Sequence, residues 1–249
     1  MRSMGLSLLA AVVSLILGCS QSTSTDVVRV AVSPASPPNL YEDNGEIVGL
    51  DRDIFEGYCA ARNCTLQITT YDWQGMLDAV VNDRADVAFS GISITEARKE
   101  VMDFSIPYME NTWNLVSMQD RGIEFRDNLG EMKQYSVGYP QGMAYTDFIT
   151  NELQPQGVYS LDLVKLYPTY NEVMADLQRG DLDLAFLDGT VAAFYRKTLP
   201  IQDSYVFTGT DRFGFAFPKN SSLRDDFDNY LTNELGDQGL QVIIDKWMN

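Results

Sequence analysis

Trp73-Gln74-Gly75-Met76-Leu77-Asp78-Ala79-Val80-Val81-Asn82-Asp83-Arg84-Ala85-Asp86-Val87-Ala88-Phe89 is echoed 97 residues further on by Tyr170-Asn171-Glu172-Val173-Met174-Ala175-Asp176-Leu177-Gln178-Arg179-Gly180-Asp181-Leu182-Asp183-Leu184-Ala185-Phe186. In each copy an aromatic residue is followed three and seven positions later by apolar ones, Met76 and Val80 or Val173 and Leu177, which is the spacing of one helix face. An acidic turn then leads into Asp86-Val87-Ala88-Phe89 or Asp183-Leu184-Ala185-Phe186, short apolar runs that predict buried strands. A helix–turn–strand unit used twice predicts an α/β protein with two lobes of similar design. Each predicted strand runs into a loop, Ser90-Gly91-Ile92-Ser93 in the first copy and Asp188-Gly189-Thr190 in the second. Open α/β sheets bind ligands at these carboxyl ends, so facing lobes would set the two loops across a cleft.

The flanking segments continue the alternation. Val27-Val28-Arg29-Val30-Ala31-Val32 predicts a strand, broken by Pro34, Pro37 and Pro38, and Asp43-Asn44-Gly45 predicts a turn. A helix over 51–63 and a strand over 66–70 complete a β-α-β unit. Further strands are predicted over 136–139, 163–167 and 213–217, and helices over 144–153, 171–179 and 190–197. Two terminal helices, 222–235 and 239–248, place Leu223, Phe227 and Leu231, then Leu240, Ile243, Ile244 and Trp247, on single packing faces.

Composition narrows the chemistry. The 249 residues carry 18 Lys+Arg against 35 Asp+Glu, a net charge of −17, and no histidine. So acidic a chain repels phosphate backbones, which argues against nucleic-acid binding. Without imidazole there is no Ser-His-Asp or Cys-His catalysis and no ordinary catalytic zinc site. No metal or cofactor is expected.

At the N-terminus Arg2 precedes an apolar run from Leu6 to Leu17, long enough for a signal-peptide core and too short to span a bilayer. Ile16-Leu17-Gly18-Cys19 resembles the lipobox of bacterial lipoproteins, which makes Cys19 the lipid attachment point, residues 1–18 the signal peptide and residues 19–26 a polar tether. Cleavage near Gly18 without lipidation is the other reading. Cys59 and Cys64 would lie in a compartment that permits disulfides. They could meet only if the helix ended between them, with Asn63 as a left-handed cap, and the sequence leaves bridge and free thiols equally open.

Two residues could hold opposite ends of a zwitterion. Arg98 follows the Ser90–Thr95 loop, and its planar fork can grip a carboxylate by two hydrogen bonds; its plainer reading is a surface arginine paired with Glu96 or Glu100. Asp188 could take an ammonium group, or could simply cap the helix that follows.

Ile47-Val48-Gly49-Leu50-Asp51-Arg52-Asp53-Ile54, Tyr71-Asp72-Trp73, the run from Asp86 to Thr95, Arg98, and Asp103-Phe104-Ser105-Ile106-Pro107-Tyr108 together resemble the extracellular solute-binding proteins, family 3, of polar amino-acid ABC importers. The resemblance implies a two-lobed type II periplasmic binding protein fold with a two-strand hinge, lobe 1 from 27–110 and 214–249 and lobe 2 from 111–213. It implies that Arg98 clamps an α-carboxylate, aided by Ser93 and by backbone at Ser90 and Gly91, while Asp188 takes the α-amino group. Trp73 would lie against the ligand side chain, with a core tryptophan as the alternative. Where family members commonly carry a hydroxyl residue, this chain has Met143-Ala144, leaving backbone N–H groups there for the carboxylate. In the loop after the first strand Ser33, Ser36 and Asn39 stand where an acidic or aromatic residue is common, which weighs against a lysine- or arginine-like ligand.

The function so implied is a monomeric lipoprotein outside the cytoplasm that captures a small amino acid and delivers it to an ABC permease. The same scaffold hosts cyclohexadienyl dehydratases, but those carry an acidic residue shortly after the position of Asp188, where Gly189-Thr190-Val191 follow here. A ligand-sensing domain is the third reading.

Overall fold

The computed structural model describes residues 26–126 and 128–249, with Thr210 described by its backbone alone. The Cys19 lipobox and the apolar leader lie outside the described residues. Among the described residues no helix is long and apolar enough to cross a membrane.

In chain order the elements are β1 (Asp26–Val32), β2 (Ala35–Ser36), β3 (Leu40–Asp43), β4 (Glu46–Val48), α1 (Leu50–Arg62), β5 (Cys64–Thr70), α2 (Trp73–Val81), β6 (Val87–Ser93), α3 (Glu96–Val101), β7 (Asp103–Phe104) and β8 (Met109–Met118). Then come β9 (Val137–Pro140), α4 (Tyr145–Phe148), β10 (Val164–Tyr167), α5 (Tyr170–Arg179), β11 (Leu184–Asp188), α6 (Gly189–Arg196), β12 (Ile201–Phe217), α7 (Ser222–Asn229) and α8 (Gly236–Met248). Strands β10-β9-β11-β8-β12-β6-β1-β5 form one curled mixed sheet, with β7 on β12; β2-β3-β4 form a small separate sheet.

Both copies of the repeated unit fold as helix, turn and fully buried strand, α2 to β6 and α5 to β11. Their helices start alike: Asp72 caps α2 by accepting from the Gly75 N–H at 2.6 Å, and Thr169 caps α5 by accepting from Asn171. Around β6 and β1 gathers an aromatic core of Phe55, Phe89, Phe213, Phe215, Phe217 and Phe227. Around β11 and β9 a second core holds Tyr139, Tyr145, Tyr170, Leu184 and Phe186, with the Tyr145 and Phe186 rings stacked 4.4 Å apart.

Two long strands join the lobes. β12 was expected only over 213–217 but runs for 17 residues, pairing with β8 from Ile201↔Met118 to Phe207↔Trp113 in one lobe and with β6 from Phe213↔Ser93 in the other. Between these stretches the register shifts: Phe207↔Trp113 is followed by Asp211↔Asn111, so four steps on β12 match two on β8. Thr208-Gly209-Thr210 take up the excess as a bulge, with Gly209 at φ 67°. A bulge re-aims the side chain that follows it, here Asp211.

The cysteine question resolves as a bridge. Helix α1 stops at Arg62, Asn63 adopts φ 54° and ψ 42°, and Cys59 and Cys64 are joined with their Cα atoms 4.6 Å apart.

Candidate functional site

Each lobe presents its half of the site at the carboxyl end of a strand. Arg98 sits on α3, whose N-cap Thr95 accepts from the Arg98 N–H at 3.2 Å, and this turn swings the guanidinium back over β6. Its Nη1 donates to the Ser93 carbonyl at 2.9 Å. Its Nη2 reaches across to the other lobe and donates to the Gly142 carbonyl at 3.1 Å. The guanidinium also lies 5.8 Å from the Trp73 ring centroid, within cation–π range. Arg98 keeps some open surface, yet its head is enclosed enough for burial to lower its pKa, a shift opposed by Asp211, Asp147 and Asp188. The surface pairing with Glu96 is taken instead by Lys99 at 2.7 Å.

Asp188 ends β11 and is 1% exposed. It precedes α6 but makes no side-chain cap; its Oδ1 accepts from Asn111 Nδ2 at 3.0 Å and its Oδ2 from the Tyr170 hydroxyl at 3.1 Å. Burial, then the charge of Asp211, pushes its pKa up to about 7 against these hydrogen bonds. Arg98 and Asp188 therefore stand within electrostatic reach of each other, and buried polar groups link them. Ser93 Oγ donates to Asp211 Oδ2 at 3.1 Å, Asn111 Nδ2 at 2.7 Å and Trp113 Nε1 at 3.0 Å donate to the same oxygen, and Asn111 also holds Asp188.

The remaining expected residues divide. Trp73 is 6% exposed, lying in the core while lining the cleft. Its Nε1 and the Oδ1 of Asn39 are buried with no hydrogen-bond partner. Gly142 is at φ 83°, and a Cβ there would come within 2.9 Å of the Trp73 ring, so only glycine lets the lobes approach this closely. Ser36, Met143 and Ala144 are buried at the interlobe surface, Ser36 and Met143 lining a small cavity with Trp73 and Tyr170, and Ala144 lining a different one with Trp113.

Two expectations need correction. The Gly91 N–H, expected to face the ligand, donates to Asp51 Oδ2 at 2.7 Å, because Gly91 at φ 67° turns its amide into lobe 1. The Met143 N–H closes a turn onto the Pro140 carbonyl at 3.4 Å, so of the pair only Ala144 has an amide outside that turn. The Ser90 hydroxyl accepts from the Ser33 N–H at 3.0 Å and donates to the Phe89 carbonyl, inside its own lobe.

Sequence reading missed Asp211 and Asn111, and quoted Asp51 and Asn39 without the roles that their contacts give them. Asp51 was visible within the quoted Ile47–Ile54 motif, but its partners, Tyr108 at 2.5 Å and Gly91, are 57 and 40 positions away. Acids reach the cleft from elements other than the loop after β1. Glu42 and Asp72 line a cavity of about 830 Å³ at the cleft mouth with Tyr71, Trp73, Gln141 and Tyr167. That cavity shares Ser33, Ala35, Trp73, Pro168 and Thr169 with the small inner one that reaches Tyr170, the partner of Asp188.

Known proteins resemble this chain over most of its length. ABC transporter arginine-binding protein 1 of Escherichia coli (strain K12) is 26% identical over 235 residues, covering 91% of this chain and 92% of that protein. A solved ancestral arginine-binding protein bound to arginine superposes with a TM-score of 0.79 at 26% identity, covering 90% of this chain and 98% of that one. The ancestral amino acid-binding protein AncCDT-1, a precursor of cyclohexadienyl dehydratase, shares the fold with a TM-score of 0.77 at 22% identity, covering 90% and 95%. The model of the bacterial extracellular solute-binding proteins, family 3, matches residues 28–249, both lobes and the strands between them, and this chain belongs to that family.

Proposed function

We propose that this chain is the substrate-binding lipoprotein of an ABC importer, closing its two lobes on a small amino acid and presenting it to a membrane permease. Residues 27–110 and 214–249 form one lobe and 111–213 the other. Cys19 carries the lipid that holds the monomer to a bacterial membrane, outside the cytoplasm.

One observation carries the reading: Arg98 and Asp188 come from different lobes, yet they converge on one buried polar cluster, a guanidinium toward one end and a carboxylate toward the other. Such a pair fits the two ends of an amino acid, and a ligand bridging it stabilises closure because it touches both lobes. Trp73 and Ser93 border the Arg98 end of this cluster, Trp73 by the approach of its ring to the guanidinium and Ser93 by the carbonyl that Arg98 holds. The arginine-binding relatives support an amino acid as cargo. The test is a thermal-shift screen against the amino acids: a ligand at 100 times its dissociation constant adds ~2.7 kcal/mol of stability. A screen in which no amino acid raises the melting temperature overturns the reading.

The chain is a binding protein and not an enzyme. A dehydratase needs a proton donor for the departing hydroxide, and the residues after Asp188 supply none. A Cβ at position 189 would sit 2.2 Å from Thr112 Oγ1, so a larger residue there needs the threonine side chain to shift. Incubation with prephenate or arogenate leaves their absorbance unchanged; formation of product reverses this assignment.

A further inference from the structure

The hinge bulge delivers a second carboxylate to the site. Asp211 is 4% exposed, comes from β12 and stands between the two functional ends, sharing Ser93 with the Arg98 side and Asn111 with Asp188. One amide nitrogen, Asn111 Nδ2, thus spans two buried carboxylates, at 2.7 and 3.0 Å. Asn111 is itself fixed, because its Oδ1 accepts from the Gly189 N–H at 3.2 Å.

The charges enclosed here do not balance. With both acids ionised, Arg98 offsets one of them and one negative charge remains. A zwitterion adds nothing to that sum, whereas an amino acid with a cationic side chain cancels it. Uncompensated buried charge is costly, so before capture the balance is restored by a proton.

We propose that Asp211 is a specificity-determining residue, forming with Asp188 a two-carboxylate subsite spanned by Asn111 that takes up a cationic amino acid in exchange for one proton released to solvent. The inference rests on the capture reading and names the charge class of its cargo. Of the groups around the pair only Asp51 is raised into the same range, and Asp211→Asn tells them apart because it leaves Asp51 in place. Tyr108, Tyr145 and Tyr170 are raised well above their usual range by burial and stay protonated donors, and Arg98 stays charged. Asp147 acts on the cluster through Arg98, and Asp51 lies behind Tyr108. Both members of the pair are shifted the right way, Asp188 to about 7 and Asp211 upward, chiefly by burial.

The test is calorimetry of the whole chain with L-arginine and with L-glutamine, from pH 5 to 8, in buffers of different ionisation enthalpy. Wild type binds arginine at least about tenfold more tightly than glutamine at pH 7.5, releases close to one proton per arginine near pH 6, and gains affinity by up to about tenfold per pH unit until it levels above pH 7. Asp211→Asn loses both the proton release and the preference. Arginine binding with no proton release and no pH dependence in wild type overturns the inference, whether or not the variant folds, and so does an unchanged preference in a folded variant. If wild type binds arginine and glutamine equally, the exchange falls while capture stands. If neither these two nor any other amino acid binds, the capture reading falls first.

Discussion

Arg98 does two jobs with one guanidinium, and its replacement separates them. Arg98→Ala removes the fork that would meet a carboxylate and the interlobe bond to Gly142, and lowers affinity for the captured amino acid by about 2–4 kcal/mol. Arg98→Lys keeps the charge but not the two-pronged geometry, and most of that loss persists. Calorimetry reads both, and near-wild-type affinity in the alanine variant removes the clamp. Asp51 has a separate signature. Burial raises its pKa from an ordinary 3.8 to about 7, despite bonds from Tyr108 and Gly91. The folded chain therefore holds a proton that the unfolded chain gives up, so this contribution is complete below about pH 4 and is lost as pH climbs through 7. At ~1.4 kcal/mol per unit the loss approaches about 4 kcal/mol. The acids stabilised by arginine and lysine partners, such as Asp226 and Asp103, titrate below this window and leave pH 5–8 to the raised groups. Urea unfolding at pH 5 and pH 8 shows a smaller drop for Asp51→Asn than for wild type; an equal drop assigns the slope elsewhere. Arg98 and Asp188 were legible because each follows a patterned strand in sequence. Asp211 was not, since a bulge in a polar, glycine-containing stretch decides where it points and carries no periodic signal.

At the level of elements, helices and buried strands followed from local pattern, and long pairings did not. The turn Asn44-Gly45 has positive φ at both residues, as a two-residue hairpin turn demands, and the α1 terminus at Asn63 follows the same logic. β12 was seen only in its last five residues, because Gln202, Asp203, Thr208, Gly209 and Asp211 interrupt the apolar run. Its identity as a strand comes from β8 on one side and β6 on the other. Two junctions can be tested. Gly49 opens α1 at φ 147°, and a Cβ there would lie 2.3 Å from the Asn39 carbonyl oxygen, which already accepts from the Asp51 N–H at 3.1 Å. Gly49→Ala therefore destabilises by more than about 2 kcal/mol, through both strain and the displaced loop. A chemical denaturation midpoint within error of wild type contradicts this. At the other end of α1, the Cys59–Cys64 bridge closes a short loop, and the chain-entropy relation gives about 2 kcal/mol for it. A Cys59→Ser, Cys64→Ser double variant loses about that much while keeping its fold and its ligand preference, since neither cysteine approaches the cleft.

Across the whole molecule the lobes share part of one buried apolar cluster, in which Trp73 and Met76 join Tyr139 and Met143, and polar and ring contacts cross between them. Asn39 Nδ2 donates to Thr190 Oγ1 at 2.9 Å, Arg98 reaches Gly142, Tyr41 packs on Phe194 with centroids 5.5 Å apart, and Lys197 reaches the Asn249 carbonyl at 3.3 Å. Asn39 is the sharpest place to test these contacts. It is fully buried, its Nδ2 crosses between the lobes, and its Oδ1 has no hydrogen-bond partner. Removing the amide takes away one interlobe hydrogen bond of about 1 kcal/mol, which shifts the open-to-closed ratio about fivefold toward open. Asn39→Ala should thus scatter X-rays as a more open particle without ligand and bind its amino acid up to about fivefold more weakly. With saturating ligand the scattering returns to the wild-type closed profile, because the captured molecule replaces the missing contact. Thr190→Val, which removes the acceptor and leaves Asn39 in place, produces the same change in scattering. If both variants close and bind like wild type, the interlobe bond follows closure without contributing to it, and the population of the closed state is set by the hinge strands β8 and β12.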